Sequence, residues 1–198
     1  HILMDGGSTD GTVEKLKEWA AQNPYFEFVS EKDNGQADAC QKALQRVETE
    51  YFIWLNADDV LLPRAAERML SQVNEEDHTA IVYGDYVRID GEGKVFAKRR
   101  QPTYNYWDCL HGYLFVQNAA AMFNAIKLRE AGGFNPNLRF VMDYDIILKL
   151  GKIGPVKHVK EFCGAFRVHE TSKTTTLDDV CQKETLELRL RYGVSTNK

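Results

Sequence analysis

Apolar and polar positions follow one another in two different ways along the chain, and the change occurs near residue 75. Before that point, short apolar runs alternate with stretches in which apolar residues recur every three or four positions. The runs are 2–4, 26–30 and 51–55, and the stretches are 12–21, 37–47 and 64–73. Short apolar runs predict strands, and the wider spacing predicts amphipathic helices. Strand–helix alternation of this kind predicts an α/β fold with a mixed, mainly parallel sheet flanked by helices.

Beyond residue 75 the regular alternation stops. Two strand-like segments, 80–88 and 94–99, flank the turn-forming sequence Asp90-Gly91-Glu92-Gly93, which predicts an antiparallel hairpin. The same periodicities predict further helices at 124–131, 143–150 and 178–192, and a strand at 162–168. Aromatic residues concentrate at 104–115, where they suit both a core and a groove that stacks on ligands.

Composition limits the classes of protein to which the chain can belong. Its 198 residues are enough for one domain with a sizeable core. A net charge of −4 argues against a general nucleic-acid binder, and no apolar stretch approaches the roughly 20 residues that span a bilayer. The four cysteines are widely spaced and include no Cys-x-x-Cys pair, which favours reduced structural thiols in a cytosolic protein.

Two adjacent carboxylates follow the third predicted strand. Asp58 and Asp59 come after the apolar segment 51–55, so a buried strand delivers both side chains to its carboxyl end. Ligands bind beyond that end of the strands in open α/β sheets. Hard oxygen ligands there suit an Mg²⁺ or Mn²⁺ ion shared with substrate phosphates. The alternative is a solvated turn before a helix that begins near Pro63.

Further polar clusters lie at the ends of other predicted elements. Together with 56–59, they are the segments 4–12, 30–39, 132–134 and 142–145, and toward the C-terminus 166–169 and 171–173. As a set, these segments resemble the motifs of the family 2 glycosyltransferases, which have the Rossmann-like glycosyltransferase-A fold. The resemblance covers the chain from residue 1 to about residue 175.

The resemblance implies transfer of a sugar from a nucleotide-diphosphate sugar to a hydroxyl of a carbohydrate or lipid-linked acceptor, with inversion at the anomeric carbon. It points to polysaccharide, lipopolysaccharide or glycoconjugate biosynthesis. A departing nucleoside diphosphate calls for a divalent cation, here Mn²⁺ or Mg²⁺, and a single displacement needs one base. By the match, Asp143 is that base, at the start of a helix whose dipole favours the ionised form. Asp59 and His169 are expected to hold the metal.

The match also assigns binding roles. The residues expected to bind the donor are Asp5, Gly6, Asn34, Gly35, Asp38, Asp58, Ser172 and Lys173. Those expected to bind the acceptor are Trp107, Gln117, Gly132, Gly133 and Asp145. Plain structural roles stay open for some of them, since Asp143 and Asp145 suit helix capping and His169 suits packing.

Three positions depart from the family pattern. Asn56 replaces the first carboxylate of the usual Asp-x-Asp motif, which weakens the expected metal site by one charge. Met142 stands where a glutamate often precedes the base, and Gly6 stands where many relatives have a carboxylate that reads the nucleotide base. The identity of the donor therefore stays open.

The first residues, 1–4, already lie in a predicted strand, so we expect the chain to be a piece of a longer protein. A single glycosyltransferase domain is predicted. In it, residues 1–75 bind the nucleotide-sugar but lack the first strand and helix of the family, and residues 76–198 bind the acceptor and carry the base. We expect a cytoplasmic location, with peripheral association of the full-length protein at the inner face of the membrane as an option. Self-association would cover exposed strand edges.

Two alternative functions compete with glycosyl transfer. A nucleotidyltransferase also uses strand-end carboxylates and Mg²⁺, but it would be expected to carry a basic glycine-rich phosphate loop, and none is evident. The other alternative is a non-catalytic module that binds nucleotide-sugars or partner proteins. The presence of both Asp59 and Asp143 argues against it.

Overall fold

The computed structural model describes residues 1–74, 76–113, 116–169 and 178–194. The helices are α1 (Thr12–Gln22), α2 (Gln36–Arg46), α3 (Ala65–Leu70), α4 (Tyr106–Leu110), α5 (Ala125–Glu130), α6 (Met142–Ile153) and α7 (Asp178–Arg191). The strands are β1 (Ile2–Asp5), β2 (Glu27–Ser30), β3 (Tyr51–Phe52), β4 (Val60–Leu61), β5 (Ile81–Ile89), β6 (Val95–Arg99), β7 (Ala121–Asn124) and β8 (Val156–Arg167).

The strands of the described residues form two sheets. β1 and β2 pair in parallel as a small sheet, and the larger sheet has the order β3-β7-β5-β8-β4, with β6 paired to β5. In the larger sheet β5 and β8 are parallel, whereas the β3–β7, β4–β8, β5–β6 and β5–β7 pairs are antiparallel.

The predicted α/β class, the mixed sheet and the hairpin are confirmed. The larger sheet is not mainly parallel, however, and this corrects the expected balance of strand directions. The reason is the path of the chain after residue 75. A tight hairpin places β6 antiparallel to β5, and β7 returns antiparallel to both β5 and β3, so that among the described residues β8 is the one strand parallel to β5.

The strand β5 lies at the centre of the core. Its first residues, Ile81, Val82 and Tyr83, are fully buried. Ile81 and Tyr83 pack in one cluster with apolar residues of α6, and Val82 packs in another with Met69 of α3. Successive residues of a strand face opposite sides of the sheet, so the uninterrupted apolar sequence here reflects burial on both faces.

A groove of about 640 Å³ lies between the small sheet and the β3 segment. Its walls include His1 and Ile2 from one side and Phe52–Leu55 from the other. Within the described residues, β1 pairs with β2 alone and β3 with β7 alone. The two strands that contribute to this groove, β1 and β3, therefore each have one edge without a partner strand in the described residues.

Candidate active site

The loop after β1 is organised by the buried carboxylate of Asp5. Its Oδ2 accepts hydrogen bonds from the backbone N–H groups of Gly7 (3.1 Å) and Ser8 (3.0 Å) and from the Ser30 hydroxyl (2.7 Å). Its Oδ1 accepts from the Ser8 hydroxyl. These donors, with the Ser30 hydroxyl contributing most, lower the pKa of Asp5 to about 2. Asp5 thus holds the predicted donor loop in its conformation, and both of its carboxylate oxygens already accept hydrogen bonds within the protein.

Replacement of Asp5 by asparagine is expected to destabilise the fold by about 2–3 kcal/mol, the scale of hydrogen bonds to a charged group. The carboxylate of Asp5 has a pKa that falls from 3.8 to about 2 on folding. Its contribution is therefore fully present above 3.8 and is lost as the pH falls toward 2. Denaturant unfolding should show a wild-type advantage at neutral pH that shrinks over this window. Glu18→Gln, at an exposed position of α1, is the control, and an equal loss in both variants would contradict the assignment.

The loop before α2 lies against the loop after β1. Gly6 makes this approach possible, because a Cβ atom there would come within 2.9 Å of Asp33 Oδ2. Asp33 accepts a hydrogen bond from the Gly35 N–H (2.8 Å), and Asp38 accepts one from the Asn34 N–H (3.0 Å). The predicted donor residues of the two loops are thus brought together at the carboxyl ends of β1 and β2.

Asn56 connects the α2 loop to the paired carboxylates. Its Oδ1 accepts a hydrogen bond from Gln36 Nε2 (2.8 Å), and its Nδ2 donates one to Asp59 Oδ2 (3.1 Å). A carboxylate at position 56 could not donate to Asp59. The departure from the Asp-x-Asp pattern therefore has a structural use, because the Asn56 amide donates a hydrogen bond that holds the buried Asp59 carboxylate.

Asp58 and Asp59 have opposite environments. Asp59 is 7% exposed, and its Oδ1 accepts a hydrogen bond from the Arg167 backbone N–H (3.0 Å). Burial raises the pKa of Asp59. Asp58 is partly exposed, and its Oδ2 lies 3.1 Å from His169 Nε2, whose side chain is also partly exposed. The pair that faces outward is thus Asp58 with His169, whereas both oxygens of Asp59 are bonded within the protein.

Arg167 holds this arrangement in place. Its Nε donates to the Asp58 carbonyl (2.7 Å), and its Nη1 donates to the carbonyls of Asp90 (2.8 Å) and Gly91 (3.2 Å) in the hairpin turn. One side chain at the end of β8 therefore joins the paired carboxylates to the β5–β6 turn. The motif that contains Arg167 was evident in the sequence, but this linking role was not.

Asp143 lines a cavity of about 390 Å³. Gln36, Trp54, Asn56 and Gln117 contribute to the same walls. Asp143 lies in the first turn of α6, and its Oδ1 accepts a hydrogen bond from the Tyr144 N–H (2.8 Å). Burial raises the pKa of the Asp143 carboxyl. Burial is the largest effect on this pKa, and it opposes the effect expected from the helix dipole.

Other predicted acceptor residues lie elsewhere. Asp145 is fully buried, its Oδ2 forms an ion pair with Lys149 (2.7 Å) and its Oδ1 accepts from the Tyr192 hydroxyl (3.2 Å). A carboxylate enclosed in this way does not reach the cavity, so the structure does not support acceptor binding by Asp145. Trp107 lies on α4 with 67% of its surface exposed, outside the cavity walls.

Gly132 and Gly133 end α5 and are not in the cavity walls. Both have positive φ angles, 92° and 67°, as glycines at the end of a helix commonly do. The Gly133 N–H donates to the Leu128 carbonyl (2.7 Å), and the Gly133 carbonyl accepts from Lys149 Nζ (2.8 Å). The geometry gives them a role in joining α5 to α6. Ser172 and Lys173 lie outside the described residues.

Sequence reasoning missed several cavity residues. Gln36, Trp54 and Asn118 line the walls beside Asp143, but amide and indole side chains carry no pattern that separates a cavity wall from a core. Among the described residues, no group of three or more His, Cys, Asp or Glu side chains forms a ready-made metal cluster. In that same part of the chain, no helix combines the length and the apolar character needed to cross a membrane.

Comparison with known sequences gives a consistent family match. Residues 1–131 match the family model described as Glycosyl transferase family 2. A chondroitin synthase from Escherichia coli is 32% identical over 162 residues, which are 81% of this chain and 23% of that protein. A hyaluronan synthase from Pasteurella multocida is 28% identical over 164 residues, which are 81% of this chain and 16% of that protein. The chain thus spans less than a quarter of the length of these relatives.

Comparison with solved structures concerns the fold. The S. aureus TarS 1–349 structure in complex with UDP-GlcNAc superposes with a TM-score of 0.74 at 13% identity, over 100% of this chain and 58% of that one. The mannosyltransferase PcManGT from Pyrobaculum calidifontis, in complex with GDP-Man and Mn²⁺, gives a TM-score of 0.65 at 15% identity, over 100% of this chain and 55% of that one. The predicted glycosyltransferase-A fold is confirmed.

Proposed function

The chain belongs to glycosyltransferase family 2, and we propose that its site transfers a sugar from a nucleotide-diphosphate sugar to an acceptor hydroxyl, with inversion, in polysaccharide synthesis. One observation carries the proposal. Asp143, the candidate base, shares a cavity with Gln36 and Asn56, which join the candidate donor loop to the paired carboxylates. The chondroitin and hyaluronan synthases among the relatives support a polysaccharide product.

The donor side of the proposed site is formed by the two loops at the ends of β1 and β2. Asp5 fixes the first loop, and Asp38 fixes the second through the Asn34 N–H. The TarS structure in complex with UDP-GlcNAc and the PcManGT structure in complex with GDP-Man support a nucleotide-sugar as the ligand. The nucleotide would lie across these loops, with its diphosphate toward 56–59.

A divalent ion fits the proposed site beside Asp58 and His169. A carboxylate oxygen and an imidazole nitrogen are both suitable donors for Mn²⁺, and the two side chains are partly exposed and 3.1 Å apart. Asp59 fits less well, because Arg167 and Asn56 already occupy its oxygens. The Mn²⁺ in the PcManGT structure supports divalent-metal use. When bound, the ion would neutralise charge on the departing diphosphate.

The chemical step assigned to this chain's own residues is removal of the acceptor proton. Asp143 accepts the proton of the acceptor hydroxyl, and the freed oxygen bonds to the anomeric carbon from the side opposite the diphosphate. The bond between that carbon and the diphosphate oxygen breaks, and its electron pair leaves with the diphosphate. A base whose pKa is raised by burial takes a proton more strongly than an ordinary aspartate, which suits this role.

The acceptor is proposed to be a carbohydrate chain held against aromatic and amide side chains. Trp54 and Gln117 line the cavity with Asp143, and Trp107 is exposed on α4. Flat aromatic rings with a polar edge suit the faces of sugar rings. In this arrangement Gln117 would hydrogen-bond the sugar that receives the new linkage, and Trp107 would contact sugars farther along the chain.

The direct test is a screen of nucleotide-sugars for transfer to oligosaccharides and for donor hydrolysis, with Mn²⁺ and with Mg²⁺. The screen should use the full-length protein and the 198-residue chain side by side. Metal-dependent release of nucleoside diphosphate, with a product of inverted anomeric configuration, would support the proposal. Donor binding without turnover in the full-length protein would instead favour a non-catalytic binding module.

The 198-residue chain is expected to bind nucleotide less tightly than the full-length protein. The groove lies between β1 and the β3 segment, and within the described residues β1 pairs with β2 alone. A strand held along one edge fixes the donor loop at its carboxyl end less firmly. Parallel calorimetric titrations of UDP and GDP into both proteins would measure the difference. Equal affinities would show that the groove has no influence on the nucleotide site.

A further inference from the structure

The carboxylate of Glu184, on α7, binds the turn that leads into α6. Its Oε1 accepts a hydrogen bond from the Arg139 N–H (2.8 Å), and its Oε2 accepts from the N–H groups of Phe140 (2.9 Å) and Val141 (3.1 Å). Glu184 is 8% exposed. A buried carboxylate that receives three consecutive backbone donors is a strong, directional contact.

The turn before α6 needs such a partner. It ends at Val141, and no side chain forms an N-terminal cap for the helix there. The Val141 N–H is buried, and a buried N–H group without an acceptor is costly. Glu184 supplies the acceptor for this N–H and for the two before it, at separations of 45, 44 and 43 residues for the three donors.

We propose that Glu184 is a positioning residue for glycosyl transfer, because it fixes the entry of α6 and thereby holds Asp143 toward the acceptor. This inference rests on the proposed function. Asp143 is two residues beyond the last N–H that Glu184 binds, so any shift of the turn moves the base. A displacement of about 1 Å can cost on the order of 10²-fold in rate.

Other contacts of α7, and of Tyr192 directly after it, support the same role. Arg189 Nε donates to the Leu110 carbonyl (3.1 Å) at the end of α4, and the Tyr192 hydroxyl donates to Asp145 Oδ1 (3.2 Å). The Tyr144 hydroxyl, next to the base, contacts the carbonyls of Cys109 (2.9 Å) and Leu110 (3.0 Å). Tyr144, next to Asp143, and Asp145, two residues beyond it, are therefore held by these contacts, and α7 joins this part of α6 to α4, which carries Trp107.

The test compares Glu184→Ala and Glu184→Gln with Glu187→Ala in the full-length protein. Glu187 is an exposed glutamate of the same helix and is the matched control. We expect Glu184→Ala to lower kcat by about 10²-fold while the KM for the donor changes less than about twofold. Glu184→Gln keeps one carbonyl acceptor, so it should recover part of the rate. Amide hydrogen exchange at 139–141 should be faster in both Glu184 variants and unchanged in Glu187→Ala.

The outcomes are distinguishable even if Glu184→Ala fails to fold, because Glu184→Gln keeps the size and shape of the side chain. An active wild-type protein with normal kcat in Glu184→Gln and slow exchange at 139–141 would overturn the positioning role alone. Equal losses of donor affinity and kcat would also overturn it, since they indicate general loss of structure. A wild-type protein that transfers no sugar would overturn the proposed function, and the positioning role with it.

Discussion

Asp143→Asn is expected to lower kcat by about 10²-fold or more, the scale of general-base catalysis. Asparagine keeps the shape of the side chain at the start of α6 and the hydrogen bond from the Tyr144 N–H, but it cannot accept the acceptor proton. None of the residues expected to bind the donor lines this cavity in the described part of the chain, so donor affinity should stay nearly unchanged. Steady-state transfer kinetics and donor titration would measure the two quantities separately.

The pH dependence gives an independent check on the same residue. Burial raises the pKa of the Asp143 carboxyl above its ordinary value. A general base is active when deprotonated. The value of kcat should therefore be low at pH values below this raised pKa and should increase as the pH rises through it. The acidic limb of the kcat profile is therefore expected above the usual aspartate range, and it should vanish in Asp143→Asn.

Asp145→Asn is the matched control for the base, because it makes the same chemical change two residues away. Asp145 is fully buried and pairs with Lys149, so the change should lower the stability of the protein. The kcat of the folded protein should stay close to the wild-type value. If Asp145→Asn lost transfer and Asp143→Asn kept it, Asp145 and not Asp143 would be the base. Normal transfer by both variants would contradict the mechanism.

Much of the fold could be predicted from local sequence patterns. The helices α1 and α2 and the β5–β6 hairpin have clear periodicity and turn residues, and each was found close to its predicted bounds. The run 51–55 yielded a strand of only two residues, Tyr51–Phe52. The chain leaves the sheet after this strand, and the cavity walls include Trp54 and Asn56. Burial in a cavity wall and burial in a strand produce the same apolar run, so the pattern could not separate them.

The polar clusters of the candidate site could be predicted from the sequence, but the different roles of the individual carboxylates could not. Asp58 and Asp59 are adjacent in sequence, and the contact that separates them comes from the Arg167 N–H, 108 residues beyond Asp59. Glu184 gave no signal either, since a glutamate within a charged helix is ordinarily solvated. Contacts between distant segments decide which of several carboxylates is buried, and a single sequence does not reveal them.

Asp58→Ala is expected to lower the affinity for nucleotide-sugar in the presence of Mn²⁺ by about 10²-fold, and to leave the weaker binding without metal nearly unchanged. The reason is that Asp58 and His169 face outward together, 3.1 Å apart, and can share an ion with the diphosphate. Because Asn56 removes one carboxylate, Mn²⁺ alone should bind weakly to the wild-type protein. Calorimetry with Mn²⁺, with nucleotide and with both would separate these quantities.

Asp59→Asn is expected to act differently, and the contrast tests the division of roles. Asp59 accepts hydrogen bonds from the Arg167 N–H and from Asn56 Nδ2. The side-chain oxygen of asparagine can accept one of these hydrogen bonds, but its NH₂ group would face the other donor and cannot accept from it. The loss should be about 1–3 kcal/mol of stability, measured by denaturant unfolding, with the Mn²⁺ dependence of nucleotide binding retained. If Asp59→Asn removed the metal dependence while Asp58→Ala kept it, Asp59 would be the metal ligand, and the hydrogen bonds from Arg167 and Asn56 would have to open when the ion binds.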